Sequence, residues 1–250
     1  MDMFSLKGKT AVVTGASKNI GAAISAGFAE AGANVVMMAR TPGPLEKHAN
    51  DVARKYGVKT LAVAGDVKVK ADVQRLIQRT FETFPKVDIL VNNAYDNANT
   101  WGLTSFDITD EHWDRCFKAN VMGPWWLSMA FGKRMLEGSG GNIINLLSTS
   151  VYATFGPWTP YASTKAALGM MTRYLAKEWA PKVRLNCLVP GTINEDGTPR
   201  KNWDRLLPSI PMKRFGAAQD MVGAAIYLAS GASAYTTGQV IFVDGGRITV

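Results

Sequence analysis

The sequence predicts an α/β fold: a seven-stranded, mostly parallel sheet, doubly wound, with helices on both faces. Short apolar runs of strand length alternate with helix-length stretches along the whole chain. Such alternation implies parallel strands joined by helical crossovers, each right-handed. The strand runs are continuous in apolar character, as expected for strands covered on both faces. Finally, Gly15, Asp66, Asn92, Ser148 and Pro190-Gly191 each lie just after a strand run, at the sheet edge where ligands bind in this architecture.

In order, Thr10–Thr14 reads as the first strand, followed by a helix from about Ile20 to Ala31 that Gly32 ends. Asn34–Met38 is the second strand, and a helix from Leu45 to Tyr56 stops at Gly57. Thr60–Ala64 is the third, before a helix over Ala71–Phe84 that Pro85 closes. Val87–Val91 is the fourth. A long helix over Glu111–Met135 is expected to bend at Gly123-Pro124, where the ring removes a backbone donor. Asn142–Leu147 is the fifth strand, and the helix bearing Tyr161 ends by Pro181. Val183–Val189, a helix over Ala218–Ala229 and a last strand at Gln239–Val243 complete the pattern.

The 250 residues read as one domain, with no linker, repeat or low-complexity segment. The start, Met1-Asp2-Met3-Phe4-Ser5, lacks the basic-then-apolar order of a signal peptide, and no apolar run reaches membrane-span length. Cys116 and Cys187 fit no disulfide or metal pattern, and Cys187 sits in an apolar run, expected to be core. A cytoplasmic protein is therefore expected. The net charge of +8 comes from scattered residues such as Lys47, Arg54, Lys68, Arg75, Lys133 and Arg214. No basic stripe with interleaved aromatics appears, so neither nucleic acid nor membrane is an expected partner. No metal-ligand cluster is seen, and His48 and His112, on predicted surface helices, receive no role.

Two stretches carry chemistry. In Tyr161-Ala162-Ser163-Thr164-Lys165 a phenol and an ammonium lie one helical turn apart on one face. A nearby cation favours phenolate and is expected to lower the Tyr pKa, making an acid/base pair; alone, the same spacing occurs on any amphipathic helix. In Thr14-Gly15-Ala16-Ser17-Lys18-Asn19-Ile20-Gly21 a glycine-bearing loop joins the first strand to the first helix. A helix N-terminus behind such a loop offers N–H groups to a pyrophosphate.

Together with Asn92-Asn93-Ala94, Asn120 in Asn120-Val121-Met122-Gly123, Ser148, Pro190-Gly191 and the ending Val243-Asp244-Gly245-Gly246, these stretches resemble the short-chain dehydrogenase/reductase family over essentially the whole chain. The resemblance implies a Rossmann-type fold and hydride transfer between a nicotinamide dinucleotide and a carbonyl or alcohol. It casts Tyr161 as acid/base, Lys165 as the ribose-holding cation, Ser148 as a hydrogen bond to the substrate oxygen, and Asn120 as the residue positioning a water between Lys165 and solvent. It places cofactor contacts at Gly15, Ser17, Lys18, Asn19, Ile20 and Gly21, at Arg40 and Thr41, at Asp66 and Val67, at Asn93 and Ala94, at Tyr161 and Lys165, and at Pro190, Gly191 and Ile193. Asp66 contacts adenine on this reading, or caps the following helix, or both. The family's enoyl reductases space Tyr and Lys more widely, which disfavours C=C reduction. A homo-oligomer, most often a tetramer, is also implied.

Three positions depart from the family pattern. Asn19 replaces the middle loop glycine; Asn is the non-Gly residue that best tolerates a left-handed backbone. Tyr95 replaces the glycine of Asn-Asn-Ala-Gly, near the expected nicotinamide. Glu195 replaces a threonine. After the second strand the chain has Ala39-Arg40-Thr41, a guanidinium where an NAD-preferring member carries a carboxylate, which with Lys18 suits the 2′-phosphate of NADP(H). The segment 192–211 resembles the family's substrate lid. Trp101, Tyr152, Phe155, Trp158 and Trp203 surround the set, some expected in the pocket and some in the core, and an apolar or aromatic carbonyl substrate is expected. The alternative is a dinucleotide-binding sensor or interaction protein on the same fold without catalysis.

Overall fold

The computed structural model describes residues 2–100, 102–154, 156, 158–198 and 204–248. Strands β1 (Thr10–Thr14), β2 (Asn34–Ala39), β3 (Thr60–Ala64), β4 (Ile89–Asn92), β5 (Gly141–Leu146), β6 (Val183–Pro190) and β9 (Val240–Val243) form one sheet in the order β3-β2-β1-β4-β5-β6-β9. Every pairing in it is parallel. The order reverses between β1 and β4, so the crevice of a doubly wound sheet opens there. The sequence expectation of seven strands holds. The short pair β7 (Ile193–Asn194) and β8 (Gly216–Ala217) was not anticipated, because two residues give no periodicity to read.

β1 and β4 are buried at every position and β2 at all but Asn34, which is why their sequences run apolar without alternation. On one face pack α1 (Asn19–Glu30), α2 (Pro42–Tyr56) and α7 (Val222–Ala229), closing a core around Ile24, Phe28, Met37, Ile89 and Leu228. On the other face α3 (Lys70–Thr83), α5 (Gly123–Glu137) and α6 (Thr159–Trp179) close a second core around Val36, Leu90, Leu127, Phe131 and Leu185. Cys187 lies in a third cluster with Leu147, Leu168 and Val189, as expected for an apolar thiol.

The long helix expected over Glu111–Met135 is two helices. α4 (Asp110–Phe117) passes into a π-helical turn at Lys118–Met122, and α5 resumes at Gly123. Pro124 carries no N–H, so the Asn120 carbonyl has no i+4 partner. The ladder slips by one, with Gly123 donating to Lys118. The bend expected at Gly123-Pro124 is thus realised as a π turn. α2 starts three residues earlier than expected, with Pro42 in its first turn, where a missing donor costs nothing. Among the described residues no helix is long and apolar enough to cross a membrane.

α5 crosses the end of α6 at Gly132, where a Cβ would run into the Trp179 ring. Trp179 is itself buried in the second core. We predict that Gly132→Ala lowers stability by about 1–3 kcal/mol, measured by urea unfolding; an unchanged midpoint would mean this helix contact is looser than described.

Candidate active site

The loop after β1 is held in place from β4. Asn93 Nδ2 donates to the Thr14 and Gly15 carbonyl oxygens at 2.8 and 3.2 Å, and the Asn93 and Ala94 N–H groups both donate to Thr14 Oγ1 at 3.1 Å. Gly15 takes φ +67° and Asn19 φ +49°, so the substituted middle position does adopt the left-handed backbone that Asn tolerates. A Cβ on Gly21 would overlap the Gly15 carbonyl oxygen. No side chain caps α1 at Lys18, so the first N–H groups of the helix face a glycine-lined cradle. That cradle fits a pyrophosphate.

Ala16 N donates to Met38 O at 3.1 Å, tying this loop to the end of β2, after which Arg40 and Thr41 follow. Lys18 and Arg40 are both exposed, and neither forms an ion pair among the described residues. The edge of the crevice therefore carries two cations without an ion-pair partner among the described residues, and no carboxylate directly follows β2.

Asp66 does not cap the following helix. α3 begins at Lys70 with Val69 at its N-cap, and Asp66 Oδ1 instead accepts from Lys68 N at 2.9 Å in a local turn. An acceptor two residues from its own donor closes that turn before the helix starts. Val67 is buried in the second core. Pro190 ends β6, Gly191 N donates to Val243 O at 3.0 Å, and Ile193 lies on β7. Gly191 and Ile193, but not Pro190, line with Gly216, Asp220 and Phe242 a cavity of about 380 Å³ that both ends of segment 192–211 border at Thr192 and Ile210. Ser148, Tyr161 and Lys165 do not line it. Residues 199–203 of that segment, Trp203 among them, and also Trp101 and Phe155 lie outside the described residues.

Tyr161 and Lys165 project from α6 toward the end of β5. Lys165 is 2% exposed, and its Nζ donates to Leu146 O at 2.7 Å and lies 5.9 Å from the Tyr161 ring centroid. The Ser148 hydroxyl lies beside the Tyr161 phenol and pulls its pKa downward. Ser148 Oγ also accepts from Ser150 N at 3.2 Å and Ser150 Oγ at 2.9 Å in the turn that follows β5. The three expected residues thus converge.

Their electrostatics differ from the sequence expectation. Burial pushes the Tyr161 phenol above its ordinary value, further raised by neighbouring Tyr95 and opposed only by the Ser148 hydroxyl. Burial also brings the Lys165 ammonium down to about 7. The expectation that a cation lowers the Tyr pKa fails because desolvation penalises both charged forms and acts on the cation itself.

Asn120 sits fully buried in the π turn, with its side chain committed. Nδ2 donates to Asp96 O at 2.9 Å and to Thr164 Oγ1 at 3.0 Å, and Oδ1 accepts from Asp96 N at 3.0 Å. The Asp96 carboxylate lies between Lys68 Nζ at 3.0 Å and Arg115 Nη2 at 3.1 Å. Paired cations and the Ala98 N–H hold it below the usual carboxylate range despite burial. Sequence reading missed Asp96, Lys68, Arg115 and Thr164. The only sign was an acidic residue directly after Asn92-Asn93-Ala94-Tyr95. Of the expected aromatics, Trp158 packs edge-on to Tyr161 at 6.3 Å, whereas Tyr152 packs on Phe242 at 4.8 Å in the third core cluster. His48, read as a surface residue, is half-buried against Ser25 Oγ at 3.0 Å. No group of residues that could hold a metal ion occurs among the described residues.

Known proteins resemble this chain over nearly its whole length. A family model described as enoyl-(acyl carrier protein) reductase matches residues 15–247. The NAD-dependent glycerol dehydrogenase of Listeria innocua is 31% identical over 255 residues, covering 97% of this chain and 95% of that protein. The solved structure of L-sorbose reductase from Gluconobacter frateurii, complexed with NADPH and L-sorbose, is 33% identical, with a TM-score of 0.90 and 100% of both chains covered. A 7α-hydroxysteroid dehydrogenase complexed with NADH and 7-oxo glycochenodeoxycholic acid is 30% identical, with a TM-score of 0.90 and coverage of 98% and 96%.

The lowered Lys165 pKa makes a stability prediction. The cost of burying the ammonium is fully present below about pH 7 and fades as pH rises toward 10.5, where the unfolded chain also loses the proton. At about 1.4 kcal/mol per pKa unit, Lys165→Met should unfold later than the natural protein at neutral pH by a few kcal/mol, with the gap closing at alkaline pH. Denaturant unfolding across that range checks it; a gap independent of pH would contradict it.

Proposed function

We propose that this chain, which belongs to the short-chain dehydrogenase/reductase family of oxidoreductases, transfers hydride between NADP(H) and a carbonyl or alcohol with an apolar or aromatic group beside the reacting carbon. The observation that carries the reading is that Ser148, Tyr161 and the buried Lys165 are gathered at the end of β5, with Lys165 Nζ 5.9 Å from the Tyr161 ring centroid.

The bound nicotinamide supplies or accepts the hydride; the chain handles the proton and the geometry. The Ser148 hydroxyl hydrogen-bonds the substrate oxygen and orients it toward Tyr161. In reduction the phenol O–H donates its proton to that oxygen, and in oxidation the phenolate takes the alcohol proton. A phenol raised above its ordinary value keeps its proton at neutral pH, which suits the acid of the reductive direction. Lys165 holds the ribose hydroxyls, and its titration near neutrality lets it pass a proton toward the phenol. The Asn120 carbonyl, left without an i+4 partner by Pro124, is the acceptor for a water that links Lys165 to solvent. The Asn120 side chain keeps the Asp96 backbone in register with α6.

The loop Gly15, Ser17, Lys18, Asn19, Ile20 and Gly21 takes the pyrophosphate, Asp66 and Val67 flank the adenine, and Asn93, Ala94, Pro190, Gly191 and Ile193 border the nicotinamide half. Arg40, with Thr41 and Lys18, takes the 2′-phosphate. Relatives divide on this point, since the glycerol dehydrogenase is NAD-dependent and the sorbose reductase carries NADPH. The exposed Arg40 and the missing acidic residue after β2 favour NADP(H) here. The exposed Trp113, Phe117, Trp125, Met170 and Tyr174 on α4, α5 and α6 support a homo-oligomer, and a tetramer in the cytoplasm completes the proposal.

Two measurements test the reading. Tyr161→Phe is expected to lower ketone turnover by about 10²–10⁴-fold while leaving NADPH affinity within a factor of a few; retained turnover would transfer the acid role elsewhere, and unchanged cellular function would favour a dinucleotide-binding sensor. In titrations at matched ionic strength NADPH should bind at least about ten-fold tighter than NADH, and Arg40→Ala should remove about one to two decades of that preference, the range of one charge-assisted contact. Equal affinities in the natural protein would sink the NADP(H) assignment.

A further inference from the structure

Tyr95 is 60% exposed, yet the chain on both sides of it is fixed. Before it, Ala94 N donates to Thr14 Oγ1 at 3.1 Å. After it, Asp96 exchanges two backbone hydrogen bonds with the Asn120 amide, at 3.0 and 2.9 Å. The Asp96 carboxylate is pinned by Lys68 and Arg115, and its Oδ1 accepts from Ala98 N at 2.7 Å. The backbone that carries the ring is thus held on both sides. The ring lies with its centroid 5.8 Å from that of Tyr161 at an interplanar angle of 60°, and 5.9 Å from Lys165 Nζ. Trp158 meets the same Tyr161 ring edge-on, 6.3 Å away at 89°. The phenol proposed to meet the substrate oxygen is therefore packed by two further aromatic rings, and one of them occupies a position where the family pattern has no side chain.

We propose that Tyr95, aided by Trp158, is the specificity-determining residue of this site, selecting substrates with a flat apolar or aryl group next to the carbonyl and rejecting polyhydroxylated ones. Aromatic faces reward a flat apolar group with tilted or edge contacts. A hydroxylated chain in the same place gives up water without gaining a partner, because a ring face offers no conventional donor or acceptor and the Ser148 oxygen already accepts two hydrogen bonds from Ser150. Unsatisfied hydroxyls are a strong basis for rejection. The inference rests on the reading of Tyr161 as the group that meets the substrate oxygen, and it sets this chain apart from relatives named for glycerol and sorbose.

The test is calorimetric binding of acetophenone and of a ketohexose, fructose, to the full-length protein, with and without NADPH. The natural protein should bind acetophenone at least about ten-fold tighter than fructose. Tyr95→Gly should erase most of that preference while NADPH affinity and thermal midpoint stay close to the natural values. Tyr95→Phe should keep it, since the ring and not the hydroxyl is at work, and Trp158→Ala should reduce it in part. Preference retained in Tyr95→Gly overturns the inference, as does natural protein that favours fructose or binds neither ligand. Because the preference is also read without dinucleotide, a protein that discriminates the two ligands but fails to bind NADPH counts against the proposed function and leaves Tyr95 as the selector.

Discussion

The site depends on keeping one ammonium out of water. Lys165 lies on the inward face of α6, in register with Leu168, Thr172 and Leu175, positions that would be apolar in an ordinary core helix. Its Nζ has the Leu146 carbonyl as hydrogen-bond partner, a neutral acceptor that offsets only part of the desolvation of a cation. The remainder appears as the downward displacement of its pKa, and the neighbouring phenol is displaced upward by the same burial. A core leucine at this position would be the more stable choice. Retaining the cation exchanges stability for a group that titrates near neutrality.

The surroundings are built to tolerate that exchange. Buried amides stitch the elements together at the carboxyl ends of the strands. Asn92 Nδ2 donates to Asn145 Oδ1 at 2.8 Å, and Asn145 Nδ2 donates to Thr172 Oγ1 at 2.8 Å, joining β4, β5 and α6. Asn93 holds the Thr14 and Gly15 carbonyls, and Asn120 joins the segment after β4 to Thr164 on α6. Four asparagines, Asn92 and Asn145 within β4 and β5, Asn93 just beyond β4 and Asn120 in the π turn, thus fix the relative positions of the loop, the Tyr95 segment and the Tyr161 helix. Asn93 satisfies the Thr14 and Gly15 carbonyls after β1 and Asn120 both backbone groups of Asp96 after β4, whereas Asn92 and Asn145 pair with side chains. Lys68 extends the network, lying 3.0 Å from Asp96 and 3.7 Å from Asp66, so a single side chain joins the expected adenine side to the segment beside Tyr161.

What the sequence made legible follows from locality. β1, β2 and β6 were readable because strands buried on both faces have to be apolar throughout. The loop Thr14–Gly21 and the pair Tyr161/Lys165 were readable because their chemistry is carried by residues close in the chain. The sign of the Tyr161 shift was not, since it depends on how deeply α6 presses the pair against β5, a tertiary quantity. The Asp96 clamp was equally hidden: its partners Lys68, Arg115 and Asn120 come from three separate elements, and each alone looks like a solvated charge or a mid-helix amide. The π turn was half legible, for Pro124 announces a lost donor but not how the ladder repairs it. Asp66 was misjudged as a possible cap because the helix start was placed near Ala71, close enough for a capping side chain, while the Asx turn to Lys68 uses the same carboxylate first.

The burial of Lys165 sets the electrostatics of the whole site. The most direct measurement is a pH titration of lysine side chains labelled with ¹³C at Cε, with Lys165→Met identifying the resonance. A Lys165 signal that titrates at about 7, apart from the remaining lysines, is the predicted result. A Lys165 signal that moves with the bulk lysines near 10.5 would mean that the ammonium is solvated, and the desolvated Tyr161–Lys165 pair at the centre of this reading would not exist.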